Sequence, residues 1–294
     1  MNNEPLVSVL MTCYNREPFI SEAIESVLAS SYTNFELLVV DDGSSDQTVR
    51  MAEAYASRDR RIKVYLNAKN LGDYPNRNKA ASLAKGKYLV YTDSDDWMFA
   101  NALQEWVGWM EKEAAAFGIF RPGISELPVL WPGKKIIRTH FFVQPVLMNG
   151  PTATITKKDF FVSIGGFPES FGPANDMYYN LKAASQTATL LFPLPLNDYR
   201  IHESQERNNR YSYLYNNYLY LQHALHELDL GLTASEIHFL VAKNKRRFVA
   251  NCLRFLKTGN ERQHLVRALR TTKFSFTDLL QALYIKSLKP KTLD

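Results

Sequence analysis

The first hundred residues switch between two hydrophobic periods. Short apolar runs at 6–11 (LVSVLM), 35–40 (FELLVV), 62–66 (IKVYL) and 88–91 (YLVY) have the length and composition of buried strands. Between them, apolar positions recur at helical spacing. Ile20, Ala23, Ile24, Val27 and Leu28 fall within 18–30, and Val49, Ala52 and Tyr55 follow in a segment that starts near Asp46. Residues 75–84 predict a third helix, and Leu103, Trp106, Val107 and Met110 a fourth. Strict alternation of strand and helix predicts βαβ units and a mostly parallel, Rossmann-like sheet flanked by helices. Right-handed crossovers then put each strand's carboxyl end on one edge. Residues 12–15, 41–44 and 93–96 should meet there, although they are spread over about 80 positions. Open α/β sheets bind ligands along that edge.

The alternation fails from about Gly118 to Ile137, where Pro122, Pro128, Pro132 and Gly133 predict loops and antiparallel strands. Residues 152–161 read as a strand running into a helix, 174–185 as a helix and 189–192 as a strand. After His202 the pattern is helical, over 213–228, 235–256 and 276–288. We therefore expect an α/β domain over 1–205 and a helical extension over 206–294.

Composition adds limits. With 46% hydrophobic and 22% charged residues, the chain resembles soluble globular proteins. Apolar stretches such as 190–196 are too short to span a bilayer. The start, MNNEP, lacks a basic segment and a long apolar segment, so no signal peptide is expected. Cys13 and Cys252 make no metal-ligand spacing and suit a reducing cytoplasm. Charge is uneven: residues 243–294 hold 13 Lys and Arg against 3 Asp and Glu, while the rest hold 22 against 27. Within 243–257, Lys243, Lys245, Arg246, Arg247, Arg254 and Lys257 interleave with Phe248, Val249, Cys252, Leu253, Phe255 and Leu256. Two readings stand side by side, a solvated helix face and a peripheral contact with the anionic inner face of the plasma membrane. No nucleic-acid-binding module is present, so that partner is not expected.

Chemistry concentrates at the predicted strand ends. Asp93 and Asp95, alternate residues on an extended backbone, point the same way and could hold one hard cation, Mn²⁺ or Mg²⁺. The same run also serves as a helix cap. Asp41 and Asp42 end a strand, and such an acid could accept the imide N–H of uracil or a ribose hydroxyl, while Gly43, Ser45 and Asp46 suit a turn with a cap. At the end of the first strand, Tyr14 could stack on a base, and Thr12 and Asn15 offer hydrogen bonds. Arg77 could reach a phosphate, or lie solvated on the surface.

Taken in order, Val9-Leu10-Met11-Thr12-Cys13-Tyr14-Asn15, Val39-Val40-Asp41-Asp42-Gly43-Ser44, Asn70-Leu71-Gly72, Arg77-Asn78, Lys85-Gly86-Lys87-Tyr88 and Asp93-Ser94-Asp95-Asp96-Trp97 resemble a family 2 glycosyltransferase. The resemblance is strong over 5–110 and weaker over 140–205. It implies a GT-A fold and inverting transfer from a nucleoside diphosphate sugar, with UDP the expected nucleotide. It implies that Thr12, Tyr14 and Asp42 hold the nucleoside beside a second acid, Asp41. Asp93 and Asp95 match the metal-binding DxD pair. Asp176 falls where the family's catalytic base is expected. Asn175 precedes it where an acid is commoner, and an arginine often found later in that helix is missing. Tyr199-Arg200-Ile201-His202 resembles a late motif in which His202 would touch the metal or the diphosphate. The chain lacks the Gln-x-x-Arg-Trp pattern of processive synthases, which implies single addition to a saccharide or lipid-linked acceptor. Residues 149–152 and 167–173 are the expected acceptor segments. The alternative is a catalytically silent sugar-nucleotide-binding scaffold of the same fold. A nucleotidyltransferase would need a Gly-rich basic loop after the first strand, and residues 12–16 do not form one.

Overall fold

A computed structural model describes residues 4–201, 210–258 and 262–283. Its first half follows the predicted alternation: β1 (Val7–Cys13), α1 (Ile20–Leu28), β2 (Phe35–Asp41), α2 (Thr48–Ala56), β3 (Ile62–Leu66), α3 (Asp73–Leu83) and β4 (Tyr88–Tyr91). Then come β5 (Trp97–Met98), α4 (Ala102–Lys112), β6 (Phe117–Phe120), β7 (Val129–Trp131), α5 (Gly133–Phe142), β8 (Thr154–Lys157), α6 (Lys158–Ser163), α7 (Asn175–Gln186), β9 (Thr189–Phe192) and β10 (Asn197–Asp198). The helices α8 (Arg210–Glu227), α9 (Ala234–Thr258), α10 (Arg262–Thr272) and α11 (Phe276–Leu283) follow.

The eight-stranded sheet has the order β3-β2-β1-β4-β8-β6-β9-β7. β8 and β7 run against their neighbours, and the other six share one direction. β1 and β2 are apolar almost without interruption because helices cover both faces. Alternate side chains serve opposite layers. Leu10, Leu38, Val40 and Leu89 pack with α3, α5, α7 and α8, whereas Val9, Met11, Leu37 and Val90 pack with α1, α2 and α4. The polar carboxyl ends of β1, β2 and β4 therefore emerge side by side.

At the opposite end lies a buried polar cluster. Glu36 accepts Ser8 Oγ at 2.7 Å and Lys85 N at 2.6 Å, and pairs with Lys63 at 2.8 Å. Burial pushes its carboxyl up, but Lys63, Ser8 and the Lys85 amide outweigh burial and hold it below the ordinary range. Gly86 packs here without space for a side chain, since a Cβ would sit 2.4 Å from the Ser8 nitrogen. Gly86→Ala is expected to cost about 2–3 kcal/mol in urea unfolding; an unchanged midpoint would mean that β1 and β4 separate easily.

Two helices differ from expectation. Residues 133–142 form a helix within and beyond the stretch read as loops and strands. Pro132 precedes its first turn, where the missing N–H costs nothing, and Ile136 and Ile137 are fully buried. α10 was not foreseen because its sequence, RQHLVRALRTT, is mostly polar and Ala268 is its fully buried residue. The helix read to residue 288 is described as far as Leu283. Tyr220, Leu221 and Ala224 of α8 join the main core, while Leu214 and Tyr218 pack with Phe248, Cys252 and Ala268 in a separate cluster. Thus α9 turns Phe248 and Cys252 inward and leaves Leu253 and Leu256 exposed. No described helix is long and apolar enough to cross a membrane.

Candidate active site

The strand ends border a cavity of about 910 Å³, which Thr12, Tyr14, Asp42, Arg77, Asp93 and Asp95 all line. Residues of the second half close it: Gly150 to Thr152, Glu169, Gly172, Pro173 and Asp176. The expected acceptor segments therefore lie on the same cavity as the expected nucleotide residues. Asn15 and Asp41 are not on its wall. Asp41 accepts Gly43 N at 3.0 Å and Ser44 N at 2.8 Å, and also the Ser44 hydroxyl, which folds the β2–α2 turn. Asn15 has φ +51° and is held there by Ser44 Oγ on its N–H and by Ser45 N on its Oδ1, both at 2.8 Å. His202 lies outside the described residues.

Asp42 does a different job from its neighbour. Its Oδ1 accepts Asn67 Nδ2 at 2.7 Å and Leu71 N at 2.8 Å, and its Oδ2 accepts Gly72 N at 2.8 Å. This pins the Asn70-Leu71-Gly72 loop over β2. Gly72 takes φ +93°, so the loop turns sharply enough to face the carboxylate. A carboxylate has about four acceptor sites, and three contacts leave one toward the cavity. Tyr14 is 46% exposed on the same wall, an aromatic ring available for stacking.

Each acid of the Asp93/Asp95 pair has its own arginine. Arg77 is buried, with Nη2 2.7 Å from Asp93 Oδ1 and Nε 2.8 Å from Asp73 Oδ1. Its Nη1 is buried without a partner. Arg16 Nε lies 3.3 Å from Asp95 Oδ2, and its Nη1 donates to the Tyr14 and Asn15 carbonyls. Burial, with the charge of Asp95 in support, still raises the Asp93 carboxyl above the ordinary range despite Arg77. Asp96, one residue further, is pushed up to about 7 by burial and by Asp93. Its Oδ1 accepts Arg200 N at 3.0 Å, while Arg200 Nε reaches the Asp95 carbonyl at 2.9 Å and its guanidinium stacks 3.8 Å over Trp97. Arg200 thereby straps the segment after β10 onto the acidic loop. Glu36 is thus held low at the structural end of the sheet, whereas Asp93 and Asp96 are raised at the cavity end, as at sites built for chemistry.

Asp176 opens α7 and is buried. Burial, aided by the charge of Asp73, pushes its carboxyl up to about 7, against the Met177 amide, Arg77 and Tyr74. Its Oδ2 faces Gly150, where an added Cβ would stand 3.7 Å away. Asn175 has a structural role: its Oδ1 accepts Phe171 N at 2.9 Å and fixes the turn into α7. Sequence reasoning passed over Arg16, Asp73 and Tyr74. The only signal was their adjacency to quoted motifs.

The donor set fits a hard divalent cation. The Asp93 and Asp95 carboxylates both line the wall, and such ions take one or two carboxylates and complete their shell with phosphate oxygens. Among the described residues no cluster of three or more His, Cys, Asp or Glu forms a ready-made cage.

A mostly parallel sheet with a nucleotide-sized cavity at its carboxyl edge, flanked by paired acids, defines the GT-A class of sugar-nucleotide folds. Residues 8–167, more than half of the chain, match the glycosyl transferase family 2 model, and the protein belongs to that family. Escherichia coli WfgD, a UDP-Glc:alpha-D-GlcNAc-diphosphoundecaprenol beta-1,3-glucosyltransferase, is 41% identical over 112 residues, 38% of this chain and 44% of WfgD. S. aureus TarS 1–349 in complex with UDP-GlcNAc superposes with TM-score 0.68 at 20% identity, covering 90% of this chain and 80% of that one. The mannosyltransferase PcManGT from Pyrobaculum calidifontis, in complex with GDP-Man and Mn²⁺, gives 0.63 at 15% identity, covering 98% and 86%. The sequence matches span less than half the length of the curated relatives.

Proposed function

We propose that this protein is a metal-dependent, inverting glycosyltransferase that moves one sugar from a UDP-sugar to a saccharide or lipid-linked acceptor in polysaccharide or glycoconjugate synthesis. One observation carries the reading: Asp42, the Asp93/Asp95 pair and Asp176, drawn from both halves of the chain, line one cavity. UDP-GlcNAc in TarS and the UDP-Glc in the name of WfgD support a uridine donor. Tyr14 and Asp42 hold the nucleoside with Thr12; Asn15 and Asp41 support them by shaping the loops. Asp93 and Asp95 hold Mn²⁺ or Mg²⁺, which when bound supplies positive charge to the departing diphosphate. Arg77, on the same cavity wall, holds Asp93 in position and places a second positive charge near that group. The acceptor enters past 150–152, and Asp176 takes its proton as the hydroxyl attacks the anomeric carbon. The proton passes to the carboxylate, the glycosidic bond forms, and the bond to the diphosphate breaks. Residues 206–294, helical over the described 210–227, 234–258, 262–272 and 276–283, are an extension of the catalytic domain, and the working location is the cytoplasm.

Screening a panel of nucleotide sugars by mass spectrometry for Mn²⁺-dependent release of free nucleotide tests the reading. Release from a UDP-sugar is expected. Binding without release across varied acceptors would favour the silent scaffold, and no binding of any nucleotide sugar would remove both. Arg77→Lys keeps the charge but not the fork that joins Asp73 to Asp93, so kcat/KM should fall about 30–100-fold, or about 2–3 kcal/mol. A steady-state comparison at one pH checks it, and wild-type kinetics would mean that Arg77 only fills space.

A further inference from the structure

The corner between α10 and α11 carries an exposed surface that catalysis does not use. Phe276, Leu280 and Leu283 are 74%, 46% and 67% exposed. Their spacing of four and three residues puts them on one stripe of α11. The opposite side of α11 is fixed. Lys245 of α9 pairs with Asp278 at 2.6 Å, and Asp278 Oδ2 accepts both the N–H and the hydroxyl of Ser275 at 2.8 Å. Phe274 anchors the corner from inside, 5.1 Å from Phe248 and 5.7 Å from Tyr218 between ring centres. The stripe is therefore held outward by a packed support.

The chain leading into α11 is cationic. Arg267, Arg270 and Lys273 are exposed on α10 and the corner, and Leu269 beside them is exposed as well. Asp278 is the single acid from Arg262 to Leu283, and Lys245 neutralises it. A second copy of the chain is a poor occupant, because a two-fold interface would set this basic patch against itself. An exposed apolar stripe that follows directly on an exposed cationic helix and corner matches a bilayer interface, where hydrocarbon meets anionic headgroups. From this we infer that the α10–α11 corner is a docking surface for anionic membrane, with Phe276, Leu280 and Leu283 entering the interface and Arg267, Arg270 and Lys273 meeting the headgroups.

Flotation of the full chain with vesicles tests this. Binding is expected to vesicles in which phosphatidylglycerol replaces part of the phosphatidylcholine, and to weaken with added salt. Arg270→Gln with Lys273→Gln should lower partitioning about 25-fold, roughly fivefold per cation. Phe276→Ser with Leu280→Ser should lower it at least about tenfold, with melting temperature and sugar-nucleotide turnover unchanged. Three results would overturn the inference. The first is no flotation with anionic vesicles, and the second is equal flotation of both variant pairs and wild type. The third is a dimer by ultracentrifugation that the Phe276/Leu280 variant dissociates while vesicle binding stays absent. Because turnover is read on the same samples, failure of the surface and failure of the glycosyltransferase reading are told apart.

Discussion

Asp176→Asn is expected to abolish sugar transfer while leaving a protein at least as stable as wild type. General-base contributions of about 10²–10⁴ set the scale for the loss in kcat. Stability should move the other way. The buried carboxyl titrates near about 7 in the folded chain, against about 3.9 when unfolded. Between these values the folded state holds a proton that the unfolded state has lost. Wild-type stability therefore falls as pH rises across that window and stays low above it. Asparagine does not titrate, so the variant should match wild type near pH 4 and exceed it near pH 8 by about 1 kcal/mol or more, or roughly 2–3 °C in Tm. The same group predicts that wild-type kcat/KM rises with pH through about 7, since the ionised form accepts the proton. Turnover by Asp176→Asn at wild-type rate, or a pH profile flat from 5 to 9, would assign the proton to another group.

Asp95→Ala should remove the response to metal and nucleotide together. Saturating UDP with Mn²⁺ is expected to raise the wild-type Tm by several degrees, since ligand at about 100 times Kd adds about 2.7 kcal/mol. The variant should show no Mn²⁺-dependent gain. Its turnover should fall by about 10²–10³, the range for losing one group that stabilises developing charge. The fold should survive, because Asp95 Oδ2 meets an Arg16 side chain that is itself 26% exposed and can turn to water. A full Mn²⁺-dependent shift in Asp95→Ala would place the ion elsewhere.

Much of the fold was legible because β1, β2 and β4 are buried on both faces, and nothing but a continuous apolar run satisfies such a position. The antiparallel half was read less well. β7 is three residues of half-buried chain, and α5 hides behind Pro132 and Gly133, residues that usually mark loops. There the helix is set by contact with α7: a Cβ at Gly133 would meet the Ala184 carbonyl at 2.5 Å. At the site, Asp41 and Asp42 look equivalent in sequence, yet adjacent strand residues face opposite ways. One folds its own turn and the other reaches the β3–α3 loop.

What the sequence determined by itself is the alternation of strand and helix, and with it a row of acids along one sheet edge, since period and chirality are local properties of the chain. The tertiary structure alone decided which acids share the cavity, that each of Asp93 and Asp95 faces its own arginine, and that Asp176 is buried deeply enough to hold a proton near neutral pH. Those depend on distance and desolvation between segments far apart in sequence, which no local pattern encodes.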